Sequence, residues 1–225
     1  MIPLRSDIKR KSFPIINWLL VLVNCAVFLH VLRLGVPSVQ QHFINRWSLV
    51  SAQFWADPAR AWPTLLTATF LHAGWLHLIF NMIFLIIFGN AVEDALGHLR
   101  YLVFYLVAGI VANATQAYVS PHFSLPMLGA SGAIAGVLGS FFFLYPHAKI
   151  LTLIPFFVFL TIREVPAFLF LGLWFIVQMF NGTAMLSSQL VTKQSMGGVA
   201  WWAHAGGFVS GLLLTPLFSK KVGRR

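Results

Sequence analysis

The chain has 225 residues, 59% of them hydrophobic and only 9% charged, with a mean hydropathy of +0.82. Soluble domains carry roughly 25% charged residues, so this composition excludes a soluble globular protein and indicates an integral membrane protein. The formal net charge of +10 does not point to nucleic acid, because Lys9, Arg10 and Lys11 precede the first apolar run and Lys220, Lys221, Arg224 and Arg225 follow the last. Clusters in such positions are topology signals and contacts for anionic lipid headgroups.

Residues 1–13 read as a basic leader, followed by a first span over about 14–34, long enough to cross the roughly 30 Å of hydrocarbon. It contains the single cysteine, Cys25, so no intramolecular disulfide is available. Residues 35–64 are too polar to cross but hold Trp47, Trp55 and Trp62, which places them at the membrane surface, partly submerged. A second span is expected over about 65–92, a third over 99–119 and, after the link 120–128, a fourth over 129–145. The apolar stretch 150–162 contains Pro155 and is too short to span, so it is read as interfacial or re-entrant. A fifth span covers about 165–180, a polar link with Asn181, Gly182 and Lys193 follows, and a sixth covers about 199–218. A short basic tail, 219–225, ends the chain.

Six spans put both termini on one side. Eleven of the lysines and arginines then fall on the terminal side and four (Arg33, Arg46, Arg60 and Lys193) on the other, which predicts cytoplasmic termini. With no organelle-targeting leader in view, a prokaryotic plasma membrane is the expected home.

Spans two, four and six each carry a polar residue that hydrocarbon discourages: Asn81, Ser131 and His204. Counted to the cytoplasmic ends of their helices, at Glu93, Tyr145 and Ser219, they lie twelve, fourteen and fifteen residues up. At 1.5 Å per residue these are roughly 18, 21 and 22 Å, one level in the outer half of the bilayer. His77 is four residues before Asn81 and shares its helix face, whereas His72 is five before His77 and sits nearer the outer interface. Polar groups within spans mark cavities and function more often than chance allows. Each also has a plainer reading: an N-cap for Ser131, interhelical hydrogen bonding for His77 and Asn81. Three histidines invite zinc, but no carboxylate or cysteine accompanies them at this depth, and no metal or other cofactor is expected.

Small residues indicate which helices touch. Gly207 and Gly211 form a small-xxx-small pair below His204, and Gly132, Gly136 and Ser140 recur every four residues on the fourth span. Packing those faces together carries Ser131 towards His204. A neutral imidazole there takes the serine proton and makes a nucleophile. Backbone N–H groups near Ser131, with Asn81 and His77, then stand where an oxyanion would form. The five acids, Asp7, Asp57, Glu93, Asp94 and Glu164, all lie outside this level, so if there is catalysis it is by a dyad.

The set His72-Ala-Gly-Trp-Leu-His77-Leu-Ile-Phe-Asn81, Phe88-Gly-Asn-Ala-Val-Glu93 with Gly97, Gly129-Ala130-Ser131-Gly132, and Ala203-His204 with Gly207 and Gly211 resembles the rhomboid family of intramembrane serine proteases. The resemblance covers the whole expected core. It implies an all-α membrane protein, a six-transmembrane-helix rhomboid-like bundle spanning 14–218, with 35–64 as a membrane-embedded first external loop. It implies Ser131 as nucleophile, His204 as general base, and Asn81, His77 and the Ser131 N–H as the oxyanion set, with His72, Gly129, Ala130, Gly132, Gly207 and Gly211 in support. The fifth helix would be a lateral gate and the link after it a cap. Substrates would be transmembrane helices of other proteins, cut near their outer ends. Some members carry an aromatic residue four positions after the serine, stacked on the histidine; here that position is Ala135. Glu93 and Gly97 are read as structural. The alternative is a catalytically silent rhomboid-like protein that binds membrane clients, although such relatives typically lack the serine or the histidine. A transporter would instead show intramembrane carboxylates or internal repeats. Neither the substrate nor the oligomeric state is written in the sequence.

Overall fold

The computed structural model describes residues 1–156, 159–192 and 199–219. The chain is a helical bundle whose long members are α1 (Ile15–Arg33), α6 (Trp75–Phe84) running through a π-helical turn (Leu85–Gly89) into α7 (Asn90–Leu96), α8 (His98–Val119), α9 (Ser131–Leu144), α10 (Ala167–Thr192) and α11 (Trp201–Phe218). By length and composition α1, the α6–α7 unit, α8 and α10 are each apolar enough to cross a membrane. The shorter α9 is the innermost helix, with every residue from Gly132 to Phe141 buried. The helical membrane bundle stands: a helix lies at each of the six expected positions, and four of these are long and apolar enough to cross a membrane.

Three boundaries differ. The second long helix starts at Trp75 rather than near Leu65, because Thr64–Thr67 (α5) and the 3-10 turn Ala68–Phe70 are separate and the chain is broken by Leu71-His72-Ala73-Gly74. His72 therefore stands in the turn before the helix, not on it. The described residues of the stretch 150–162, read as interfacial or re-entrant, fall within two β-strands. Lys149–Phe156 (β2) and Phe159–Pro166 (β3) pair antiparallel, and Ile2–Ser6 (β1) of the basic leader adds to the other edge in the order β1-β2-β3. The β-branched residues suit a hairpin as well as an apolar loop, and Pro155 is the penultimate residue of β2, past the last residue paired with β1. Finally, α10 continues to Thr192, so the first part of the expected polar link is helical, while 193–198 lie outside the described residues.

The segment between the first and second long helices folds into α2 (Pro37–Trp47), α3 (Ser51–Ala56), α4 (Pro58–Ala61) and α5. It is pinned to the 120–128 link by reciprocal backbone bonds between Leu49 and Met127 (2.9 and 2.7 Å). A satellite core of Leu49, Ala68, Ala117, Phe123 and Met127 lies beneath it.

At the opposite end, buried polar groups lock α1 onto α7. The Glu93 carboxylate, fully buried, accepts from the backbone N–H groups of Ile16 (3.0 Å) and Asn17 (2.7 Å), the orphan donors of the first turn of α1. Asn17 in turn donates to the Leu85 carbonyl at the π-turn and to Asn90 Oδ1, both at 2.9 Å, and accepts from the Tyr101 hydroxyl at 2.6 Å. Asp94 takes the N–H groups of Lys11 and Ser12. Glu93→Leu is expected to lower unfolding stability by about 3 kcal/mol, since the donors stay buried with nothing to receive them. Denaturant unfolding in detergent measures this; a wild-type midpoint would contradict it.

Candidate active site

Ser131 is the first residue of α9. Its side chain does not cap the helix: the N-cap is Ala130, no side chain bonds there, and the Ser131 hydroxyl lies 2.7 Å from His204 Nε2. The preceding residue, Gly129, has φ 137°, a conformation that disfavours any Cβ, and a Cβ there would also stand 2.8 Å from the His77 ring. Gly129 is thus required twice over. Its N–H bonds to the Ala68 carbonyl at 2.9 Å, which ties the entry of α9 to the turn before α6.

His204 reaches Ser131 because α9 and α11 touch through their backbones. A Cβ on Gly207 would fall on the Gly132 carbonyl oxygen, one on Gly211 on the Gly136 oxygen, and one on Gly139 on the Phe208 oxygen. In lipid there is no hydrophobic gain from helix association, so close van der Waals contact of this kind carries the packing. Gly132 is also enclosed from the side by Ala112 of α8, where a Cβ would sit 2.8 Å from the alanine methyl. The start of α11 is held from α8 too: Gln116 Oε1 accepts from the N–H groups of Trp202 (3.0 Å) and Ala203 (3.1 Å). That side-chain cap fixes the helix turn on which His204 sits.

His204 is 8% exposed and has a second polar neighbour, Gln178 of α10, whose Oε1 is 2.7 Å from His204 Nδ1. Trp174 of the same helix lies beside the imidazole, ring centroids 5.8 Å apart and planes inclined at 33°. Trp201 meets the ring edge-on at 6.2 Å. The aromatic neighbours of the imidazole thus come from α10 and from the start of α11.

His77 and Asn81 share a face of α6, and His77 abuts Gly129 at the mouth of α9. Asn81 is buried and its amide nitrogen has no hydrogen-bond partner among the described residues. An unpaired buried donor is costly, and functional sites are where native proteins tolerate one. His72 is buried and packs edge-on against His77, ring centroids 5.2 Å apart. Ser131 therefore meets His204, Gly129 adjoins both Ser131 and His77, Gly207 packs on Gly132 and Gly211 on Gly136, and His72 lies behind His77. Gln178, Trp174 and Gln116 were not anticipated. For Gln178 the signal existed: a carboxamide inside an apolar run, the same criterion that singled out Asn81.

A serine hydroxyl bonded to an imidazole nitrogen, with the free N–H of a helix's first residue alongside, is a geometry that can transfer a hydroxyl proton and receive negative charge on oxygen. The Rhomboid domain family model matches residues 59–221. Rhomboid-like protein 11, chloroplastic, of Arabidopsis thaliana is 32% identical over 163 residues, 71% of this chain and 54% of that protein. Rhomboid protein 1, mitochondrial, of Saccharomyces cerevisiae is 31% identical over 166 residues, 72% of this chain and 43% of its own length. Rhomboid protease GluP of Bacillus subtilis is 46% identical over 79 residues, 35% of this chain and 15% of that protein. The chain thus spans about half, or less, of the length of these relatives. A family match across most of the chain, laid over a multi-pass helical bundle, makes the chain a member of the rhomboid family.

Proposed function

We propose that the chain is an intramembrane serine endopeptidase in which Ser131 and His204 act as a dyad. The observation that carries this reading is the 2.7 Å contact between Ser131 Oγ and His204 Nε2, between groups set on two helices welded backbone to backbone. The Ser131 oxygen attacks the scissile carbonyl carbon while His204 Nε2 takes its proton. The carbonyl oxygen, now negative, is received by the Ser131 N–H, the unpaired Asn81 amide and His77. Collapse breaks the C–N bond, the proton passes from His204 to the leaving amine, and water attacks the acyl-enzyme by the same route. No cofactor enters.

The substrate is a transmembrane helix of another protein, cut near its outer end, where an intact helix must first unwind for a nucleophile to reach the peptide bond. Both termini are assigned to the cytoplasm on the charge distribution, eleven basic residues against four. A prokaryotic plasma membrane gains no support from the relatives, whose names include a chloroplast and a mitochondrial protein; integral membrane residence rests on the family match and the apolar helices. The protease name of GluP supports the activity.

A fluorophosphonate probe tests the reading. Wild-type protein in detergent is expected to label, and Ser131→Ala to stay unlabelled. A folded wild type that fails to label favours the client-binding alternative. Asn81→Ala is expected to retain labelling but to lower peptide-bond cleavage by roughly 10²–10³-fold, the usual effect of one oxyanion donor. Unchanged cleavage would remove Asn81 from that role.

A further inference from the structure

Around the His204 ring the five acidic residues of the chain are all absent: Glu93 and Asp94 close the α1 end, Asp7 and Glu164 lie at the sheet, and Asp57 caps α4. Nothing charged therefore fixes which imidazole nitrogen bears the proton. The choice matters, because a proton on Nε2 would leave Ser131 facing a donor and abolish the base.

Gln178 settles the choice through a second bond. Its Nε2 lies 3.2 Å from the backbone carbonyl of Trp174, one turn back on α10, and a carbonyl only accepts. The amide is thereby oriented with its NH2 towards Trp174 and its oxygen towards His204. An oxygen acceptor 2.7 Å from Nδ1 requires Nδ1 to carry the hydrogen. Nε2 then presents its lone pair to the Ser131 hydroxyl. The polarity runs unbroken from Ser131 O–H to His204 Nε2, from His204 Nδ1–H to Gln178 Oε1, and from the Gln178 amide to the Trp174 carbonyl.

We propose that Gln178 is a positioning residue that holds His204 in its Nδ1–H tautomer and fixes the ring azimuth, a neutral counterpart of the acidic third member of a triad. This rests on the dyad reading above. A carboxamide serves here because a lone carboxylate in a water-poor site carries a heavy desolvation cost, whereas an amide does not. When Nε2 gains the serine proton, the hydrogen bond from Nδ1–H to Gln178 Oε1 becomes charge-assisted, so it shortens and strengthens as the reaction proceeds. Trp174 restrains the same ring from the side.

The test uses full-length protein in detergent with ¹⁵N-labelled histidine rings, the His204 signals assigned by their loss in His204→Ala. Wild type is expected to show a protonated Nδ1 and an unprotonated Nε2. In Gln178→Met, close in volume but without the acceptor, the signals should move towards a tautomer mixture, and the fluorophosphonate labelling rate should fall roughly 10–100-fold. A wild-type tautomer pattern in Gln178→Met overturns the proposal, whether or not the rate falls. Failure of the dyad reading is separate: it is an unlabelled wild type.

Discussion

Replacing His204 by alanine is expected to leave a folded bundle whose cleavage rate is roughly 10⁴–10⁶-fold below wild type, because a serine hydroxyl without a base is a poor nucleophile at neutral pH. Ser131→Ala should fall to the same floor. The sharper expectation concerns the double variant, Ser131→Ala with His204→Ala. Groups that act as one unit are grossly non-additive, so the double variant should be no slower than either single one. The geometry demands this: the His204 Nε2 lone pair has one target, the Ser131 hydroxyl, at 2.7 Å, and removing either leaves the other with nothing to do. Cleavage of a fluorogenic transmembrane peptide, with circular dichroism for folding, measures all three. Additive losses would mean that His204 acts on something other than Ser131.

Gly211→Leu is expected to cost more than about 3 kcal/mol and to take activity with it. A Cβ at this position falls on the Gly136 carbonyl oxygen, with Gly136 C at 2.7 Å and Cα at 2.8 Å, and all of these are backbone atoms that cannot rotate away. The two helices must separate, and His204, two turns up α11, moves with them. Gly172 of α10 provides the control, since nothing lies within 4 Å of a Cβ built there. Gly172→Ala should be neutral or stabilising by roughly 0.5–1 kcal/mol, as glycine in a helix interior costs entropy. Thermal unfolding in detergent separates the two. Equal effects would mean that helix propensity, rather than the α9–α11 seam, governs the loss.

The parts of the site that could be read from the residues were those carried by periodicity. Asn81 and His77 lie four apart on one apolar helix, and glycines at four-residue spacing announce a face where backbones meet, so the depth count of Asn81, Ser131 and His204 needed only the helical rise. What escaped depended on contacts distant in sequence. Pairing of Ile2 with Leu153 joins the first residues to a segment that begins after α9, and no local pattern distinguishes such a hairpin from an interfacial apolar loop. The break at Leu71–Gly74 was hidden because one histidine and one glycine between long apolar runs do not by themselves end a span. Gln178 escaped for another reason: a single amide in an apolar helix carries no mark of its partner, and its pairing with His204 joins two different helices.

The carboxylate that receives the first N–H groups of α1 is made late. Glu93 follows Asn17 by 76 residues, which at translation rates of roughly 5–20 residues per second is a delay of about 4–15 s. The β2 strand that pairs with β1 emerges later still. During synthesis, then, the first span enters the bilayer with its leading end open, and only water and headgroups can satisfy it. Glu93 stands at the end of the bundle where that provisional solvent is at hand. The same carboxylate buried at mid-bilayer would have required the nascent span to wait with bare donors in hydrocarbon, a state costing several kcal/mol for each group. The position of the clasp thus makes the order of manufacture harmless: the chain is membrane-competent before it is finished, and the last polar bonds exchange water for protein.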